Sequence, residues 1–250
     1  MSLEGARVLV VGASAGIGRQ ISLAAVRAGA SVAFAARRKH RLDDLVNMTR
    51  SGHAVMLDVT DRASVDAGVA EAVGALGGLD IVVFSSGVAS LAPLADETEG
   101  SWRRMLDTNV VGAASVAGAV LPHLDASGVL LFMSSTNTHR RLWGLGAYGA
   151  SKAALDRLAE GLRDEHPTVR IVRAVIGPTT GTEFGDDFDG PTLSEAMQRW
   201  IAGSTHTATM MAVEDVGEVA VRLLAVLRAF PTVDIPVIQL DPAGGPIHPS

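Results

Sequence analysis

The sequence predicts an α/β fold: a doubly wound parallel sheet of about seven strands with helices on both faces. Three observations predict it. Short β-branched runs alternate with longer Ala/Leu-rich stretches from end to end, the pattern of βαβ units. Of the 250 residues, 48% are hydrophobic and 19% charged, enough to bury a substantial core. A glycine-rich turn joins the first strand to the first helix.

In chain order, Arg7 to Val11 reads as a buried strand, followed by a helix from Gly16 to Ala28 closed by Gly29. Ser31 to Ala36 is a second strand and Leu42 to Thr49 a short helix. Ala54 to Asp58 is a third strand, and Ala63 to Val73 a helix ended by Gly74 and Gly77-Gly78. Ile81 to Ser85 is a fourth strand, and Trp102 to Leu121 a long helix stopped at Pro122. Val129 to Ser134, Val169 to Ile176 and Val237 to Leu240 complete the strands. Helices fall at Ala147 to Glu165 and Asp215 to Leu227, and a polar, glycine-rich stretch runs to about Thr209. No repeat, linker or low-complexity tract interrupts this order, so residues 1–250 are expected to form one domain, with 182–211 as a lid.

Composition excludes several functions. A net charge of −6 disfavours a nucleic-acid partner, because binding phosphate backbones needs clustered cations. Arginines cluster only as Arg37-Arg38, Arg103-Arg104 and Arg140-Arg141. Cysteine is absent, which removes disulfides and thiolate metal sites. The seven histidines stand apart, so no metal is expected. No apolar signal segment precedes Arg7, and no unbroken apolar run approaches about 18 residues. A cytoplasmic protein without a membrane partner is expected.

The chemistry centres on Tyr148, the one tyrosine, four residues before Lys152, one of two lysines. That spacing puts both on one helical face, a turn apart. An ammonium so close to a phenol favours the phenolate, typically lowering the phenol pKa by ~1–3. The pair is then a usable general acid/base. A surface tyrosine beside a solvated lysine is the alternative reading of the pair taken alone.

Val11-Gly12-Ala13-Ser14-Ala15-Gly16-Ile17-Gly18 forms the first turn. Glycines there let the backbone turn tightly and approach a pyrophosphate, whose charge sits against helix N-terminal amides. The spacing is Gly-x-x-x-Gly-x-Gly. About twenty residues on, the second strand ends at Ala36, where an acid would select NAD. Arg37 and Arg38 follow instead, and guanidinium suits the 2′-phosphate of NADP, so NADP(H) is expected over NAD(H).

With these glycines in front and Tyr148/Lys152 behind, the chain resembles the short-chain dehydrogenase/reductase family in its single-domain form, a Rossmann-type fold, nearly end to end. The resemblance implies a serine thirteen residues before the tyrosine, Ser135, and an asparagine in the helix after the fourth strand, Asn109. It assigns Asp58-Val59 to the adenine, and Ser86-Gly87 and Gly177, Pro178, Thr179 and Thr182 to the rest of the cofactor. It implies that Tyr148 exchanges a proton with the substrate oxygen while hydride moves to or from nicotinamide. Ser135 would orient that oxygen, Lys152 would hold the ribose, and Asn109 would support a water linking Lys152 to solvent.

Departures are visible. Val11 stands where the family usually has threonine, and Phe84-Ser85-Ser86-Gly87 replaces Asn-Asn-Ala-Gly. After Ile176-Gly177-Pro178 the nicotinamide-contacting threonine is either Thr180 or Thr182. Around the substrate, Arg140 and Arg141 read as solvent-facing, with binding of a carboxylate or phosphate as the alternative, while Phe184, Phe188, Trp200, Met210 and Met211 line an apolar pocket or pack the lid.

The implied reaction is alcohol–carbonyl interconversion on a small molecule. A non-catalytic dinucleotide-binding regulator is one rival, although such proteins tend to lose the tyrosine or lysine. A cofactor-free lyase is another, although such relatives carry arginine in place of Lys152. Small residues on the helices around Gly112, Ala113, Ala114, Ala117, Gly118, Ala153, Ala154 and Gly161 are expected to face outward. Relatives pair these helices, so a homotetramer is expected, with a dimer as the alternative.

Overall fold

A computed structural model describes residues 2–203 and 209–243; positions 204–208 of the expected lid, with residues 1 and 244–250, lie outside them. The elements in order are β1 (Arg7–Val11), α1 (Gly16–Arg27), β2 (Ser31–Ala36), α2 (Lys39–Thr49), β3 (His53–Met56), α3 (Arg62–Leu76), β4 (Leu79–Phe84), α4 (Glu99–Leu106), α5 (Gly112–Val120), β5 (Leu124–Ser135), α6 (Gly146–Glu165), β6 (Arg170–Ile176), β7 (Thr179–Thr180), α7 (Gly190–Ala202), β8 (Met211–Ala212), α8 (Val213–Ala229) and β9 (Val237–Leu240). Seven parallel strands pair in the order β3-β2-β1-β4-β5-β6-β9. This is the expected doubly wound α/β sheet. Its order reverses between β1 and β4, and the crevice outside those two strand ends is where such sheets bind ligands.

Alternation along each strand divides the core. Val8 and Val10 face a cluster with Ile21, Leu42, Val216 and Leu224, under α1, α2 and α8. Leu9 and Val11 face the opposite cluster with Val65, Val69, Val116 and Leu155, under α3, α5 and α6. Side chains one apart point to opposite faces, so a strand apolar at every position must be covered twice.

Several boundaries differ from expectation. β3 ends at Met56, so Asp58 and Val59 lie on the loop that follows. The long helix is broken by a π-helical turn, Asp107–Val111, between α4 and α5, and Pro122 lies in a 3-10 turn. A helix, α7, occupies the stretch read as glycine-rich loop. Asp189 caps it by accepting from the Thr192 amide at 3.0 Å, with proline in its first turn.

One further expectation, that the small residues face outward, is corrected. The helical run Glu99–His123 contains an 18-residue window of mean hydropathy 1.3, enough by length and composition to cross a membrane. Small residues raise that average without forming an unbroken apolar run. Within it, Ala113, Val116, Ala117 and Val120 belong to the core below the sheet. Gly112, Ala113 and Ala117 therefore face inward, and a Cβ on Gly112 would stand 2.9 Å from Val59. Only Ala114, Gly118 and Ala153 of the eight small residues are exposed.

Candidate active site

β5 ends on Ser135, beside the first turn of α6, so strand and helix deliver three polar side chains to one place. Tyr148 and Lys152 are only 8% and 5% exposed, and Ser135 is 7% exposed. The Lys152 ammonium sits 5.9 Å from the Tyr148 ring centroid and donates to the Met133 carbonyl at 2.8 Å. That bond ties α6 to β5 and sets the tyrosine against the serine.

The electrostatics run opposite to the expected depression of the phenol. Burial pushes the Tyr148 phenol up to about 12, and the hydrogen bond from Ser135 pulls only part of the way back. Burial also pushes Lys152 down to about 8, against the attraction of Asp156. Desolvation disfavours every charged form, and here it outweighs one ammonium a helical turn away. At pH 7 the phenol holds its proton and the lysine is mostly charged.

Asp156 follows Lys152 by one more turn. Burial raises its carboxyl above the ordinary range, while Ser134, Arg173 and Lys152 pull down and Glu160 pushes up. Arg173 approaches it at 3.3 Å and Glu160 at 3.1 Å. The stripe Tyr148, Lys152, Asp156, Glu160 at a spacing of four was legible in the sequence, and its last two members were missed.

Asn109 lies in the π-helical turn, fully buried. Its Oδ1 accepts from the Val88 amide at 2.8 Å, and its Nδ2 donates to the Val88 carbonyl and to Ser151 Oγ, each at 2.9 Å. The π turn aims the side chain at the β4 loop and at α6 together. A Cβ at Gly87 would stand 3.4 Å from Lys152 Nζ and 3.5 Å from Asn109 Oδ1, so that glycine separates the two.

A cleft of about 810 Å³ joins these groups to the first turn of the sheet. Its wall includes Gly12, Ser14, Ala15, Gly16, Ile17, Arg37, Arg38, Asp58, Val59, Ser86, Gly87, Gly177, Pro178, Thr179, Thr182, Ser135, Tyr148 and Lys152. Two expected positions lie behind it. Asn109 acts through Val88, and Gly18 through packing, since a Cβ there would meet the Gly12 carbonyl oxygen at 2.4 Å.

The residues present fit a dinucleotide. α1 opens on Ala15, which provides no side-chain cap, so its first amides are left for an anion. A Cβ on Gly16 would meet nothing nearer than Thr182 at 3.6 Å, which leaves the backbone accessible. Arg37 and Arg38 stand at the far end. Ser14, in the glycine turn, accepts from Arg38 Nη2 at 3.0 Å and Nε at 3.3 Å. Of the two candidate threonines, Thr182 lies over Gly16, whereas Thr180 is exposed and pairs with Ala212.

Beyond Tyr148 the cleft carries a group of apolar side chains. Phe184, Phe188, Leu145, Leu193, Met197 and Trp200 line it, and Phe184 packs edge-on to Tyr148 with ring centroids 5.0 Å apart. Met210 also lines it, whereas Met211 packs against the core. Arg140, expected in solvent, has a side chain only 9% exposed and pairs with Asp241 at 2.7 Å.

A family model described as short chain dehydrogenase matches residues 6–189. The chain belongs to this family. An uncharacterized oxidoreductase of Staphylococcus epidermidis is 29% identical over 188 residues, 71% of this chain and 82% of that protein. A short chain dehydrogenase of Pseudocercospora fijiensis is 34% identical over 184 residues, 70% of this chain and 60% of its own. Among solved structures, the closed form of a serine dehydrogenase complexed with NADP+ superimposes with a TM-score of 0.82 at 28% identity, over 97% of this chain and 99% of that one. In this short chain dehydrogenase, then, the family sheet carries the tyrosine, lysine and serine into one cleft with the glycine turn.

Proposed function

We propose that the protein is an NADP(H)-dependent oxidoreductase that interconverts a small apolar alcohol and its carbonyl by hydride transfer, through Ser135, Tyr148, Lys152 and Asn109. One observation carries the reading: Ser135 and Tyr148 line one cleft, with a buried ammonium one helical turn beyond the phenol, and that cleft begins at the glycine turn. A related solved structure holds NADP+.

A bound nicotinamide would supply or accept the hydride. Tyr148 gives its proton to the carbonyl oxygen as hydride arrives, or takes it from the alcohol as hydride leaves. Its high affinity for the proton suits the protonated acid at neutral pH. Ser135 orients the reacting oxygen. Lys152 holds ribose hydroxyls, and its charge favours the phenolate left after transfer. Asn109 fixes Val88 and Ser151, and a water linking Lys152 to solvent would pass beside Gly87. At the other end, Arg37 and Arg38 would take the 2′-phosphate, and Asp58 and Val59 would hold the adenine.

The apolar wall of Phe184, Leu193 and Trp200 favours ketones, aldehydes or quinones with a hydrophobic substituent. We read the chain as one domain, cytoplasmic, without nucleic-acid or membrane partners. A homotetramer, or a dimer, forms through the exposed sides of α5 and α6.

NADPH absorbance decay with a panel of such carbonyls tests the reading. Tyr148→Phe keeps the ring and removes the proton, so turnover should fall by ~10²–10⁴ while NADPH affinity holds. A variant that keeps more than half its turnover refutes the assigned chemistry. NADPH binding with no turnover on any carbonyl favours the regulator.

A further inference from the structure

Three consecutive residues after β7 cross the cleft. Thr182 lies against Gly16, and Phe184 lies against Tyr148. Between them the Glu183 carboxylate accepts from Arg38 Nη1 at 2.8 Å and from Arg41 Nη1 through its other oxygen. Arg38 is thereby fully engaged, with Nε and Nη2 on Ser14 and Nη1 on Glu183. Arg37 is the looser neighbour, 65% exposed and 3.9 Å from Asp58. Arg41 extends the cationic site by one turn of α2, a position that the Arg37-Arg38 doublet alone did not reveal.

Those arginines stand at the end of β2, where a dinucleotide of this fold carries its adenosine ribose. A carboxylate drawn from 142 residues away fills the place of an anion there. Partial burial pushes Glu183 up, but the bonds from Arg41 and Arg38 outweigh it and hold the carboxyl below its ordinary value.

We propose that Glu183 is a built-in competitor for the 2′-phosphate: its carboxylate holds Arg38 and Arg41 and latches segment 182–184 across the cleft until a ligand bearing that phosphate displaces it. The proposal rests on the dinucleotide reading above. A phosphate monoester carries nearly two charges and three acceptor oxygens, so it outcompetes one carboxylate for two guanidinium groups. A 2′-hydroxyl offers neither and leaves the latch paired. Glu183 thus makes opening of the cleft conditional on the phosphate, and Phe184, its neighbour, moves off Tyr148 with it.

Glu183→Gln keeps the shape and removes the charge, and the side chain is 39% exposed, so folding is not at risk. The probes are adenosine 2′,5′-bisphosphate and AMP, titrated by calorimetry against both proteins. Half-exposed ion pairs are individually weak, so the variant should bind the bisphosphate roughly two- to tenfold tighter, with AMP nearly unchanged. Limited proteolysis reads the latch itself. The 182–188 segment of the wild type should become sensitive with the bisphosphate and not with AMP, whereas the variant should be sensitive with or without either probe. Equal bisphosphate affinity in both proteins, or weaker binding by the variant, overturns the latch and leaves the cofactor reading standing. Failure of the bisphosphate to bind either protein overturns both.

Discussion

Lys152→Met should destroy turnover and stabilise the protein. The lysine is buried, and its ammonium is pushed from 10.5 to about 8 on folding. Each pKa unit corresponds to about 1.36 kcal/mol, so holding that charge inside costs roughly 3 kcal/mol at pH 7. Methionine fills the same channel with an unbranched, uncharged chain. It leaves the Met133 carbonyl without its donor and Asp156 without one of its cations, which returns about 1–2 kcal/mol of the gain. A net gain of about 1–2 kcal/mol corresponds to a rise in Tm of roughly 2–8 °C for a chain of this size. The pH dependence is the sharper readout. A lysine depressed on folding destabilises fully below its folded value, and the penalty fades as pH climbs towards 10.5, because the unfolded chain alone then holds the proton. Thermal scans at pH 7 and pH 10 should therefore show the advantage of the variant largest at pH 7 and shrinking at pH 10. A variant less stable than wild type at pH 7, or an advantage independent of pH, would refute the reasoning.

Asp156→Asn removes the carboxylate that raises Lys152, in a setting where Arg173, Glu160 and Ser134 remain. The alkaline limb of the turnover profile should move to lower pH with little change in substrate KM; an unmoved limb contradicts that link. NADPH should bind at least tenfold tighter than NADH, since charge-assisted contacts contribute roughly 1.5–3 kcal/mol each, and Ala36→Asp should reverse the preference. Equal affinities in a direct titration would leave Arg37 and Arg38 as ordinary surface charge. For assembly, light scattering should give four protomers of 25.8 kDa, or two; a single protomer at micromolar concentration excludes both.

The sheet was legible because buried parallel strands and covering helices leave strong periodicities, and the glycine turn marks where the sheet begins to bind. Spacing also put Tyr148 and Lys152 on one face. It could not show how deeply that face is buried, which reversed the expected direction for the phenol. The π turn at Asn109 shifts the helical register by one residue without a compositional mark. Helix α7 did leave a signal: Asp189 before Pro191, then Leu193, Ala196, Met197 and Trp200 at helical spacing. The pairing of Glu183 with Arg38 and Arg41 joins positions more than 140 residues apart, and nothing local announces it.

α1 is seated by two close approaches. A Cβ on Gly18 would meet the Gly12 carbonyl oxygen, and one on Gly217 of α8 would stand 2.6 Å from Gln20, so neither tolerates a methyl group without movement. The helix that would face a pyrophosphate is therefore braced at both contacts, while the wall opposite it hangs on half-exposed ion pairs. The response to ligand binding is then one-sided. Amide hydrogens of α1 beyond its first turn should exchange at the same slow rate with or without a dinucleotide, and the entropic signature of binding should come from the segment after β7.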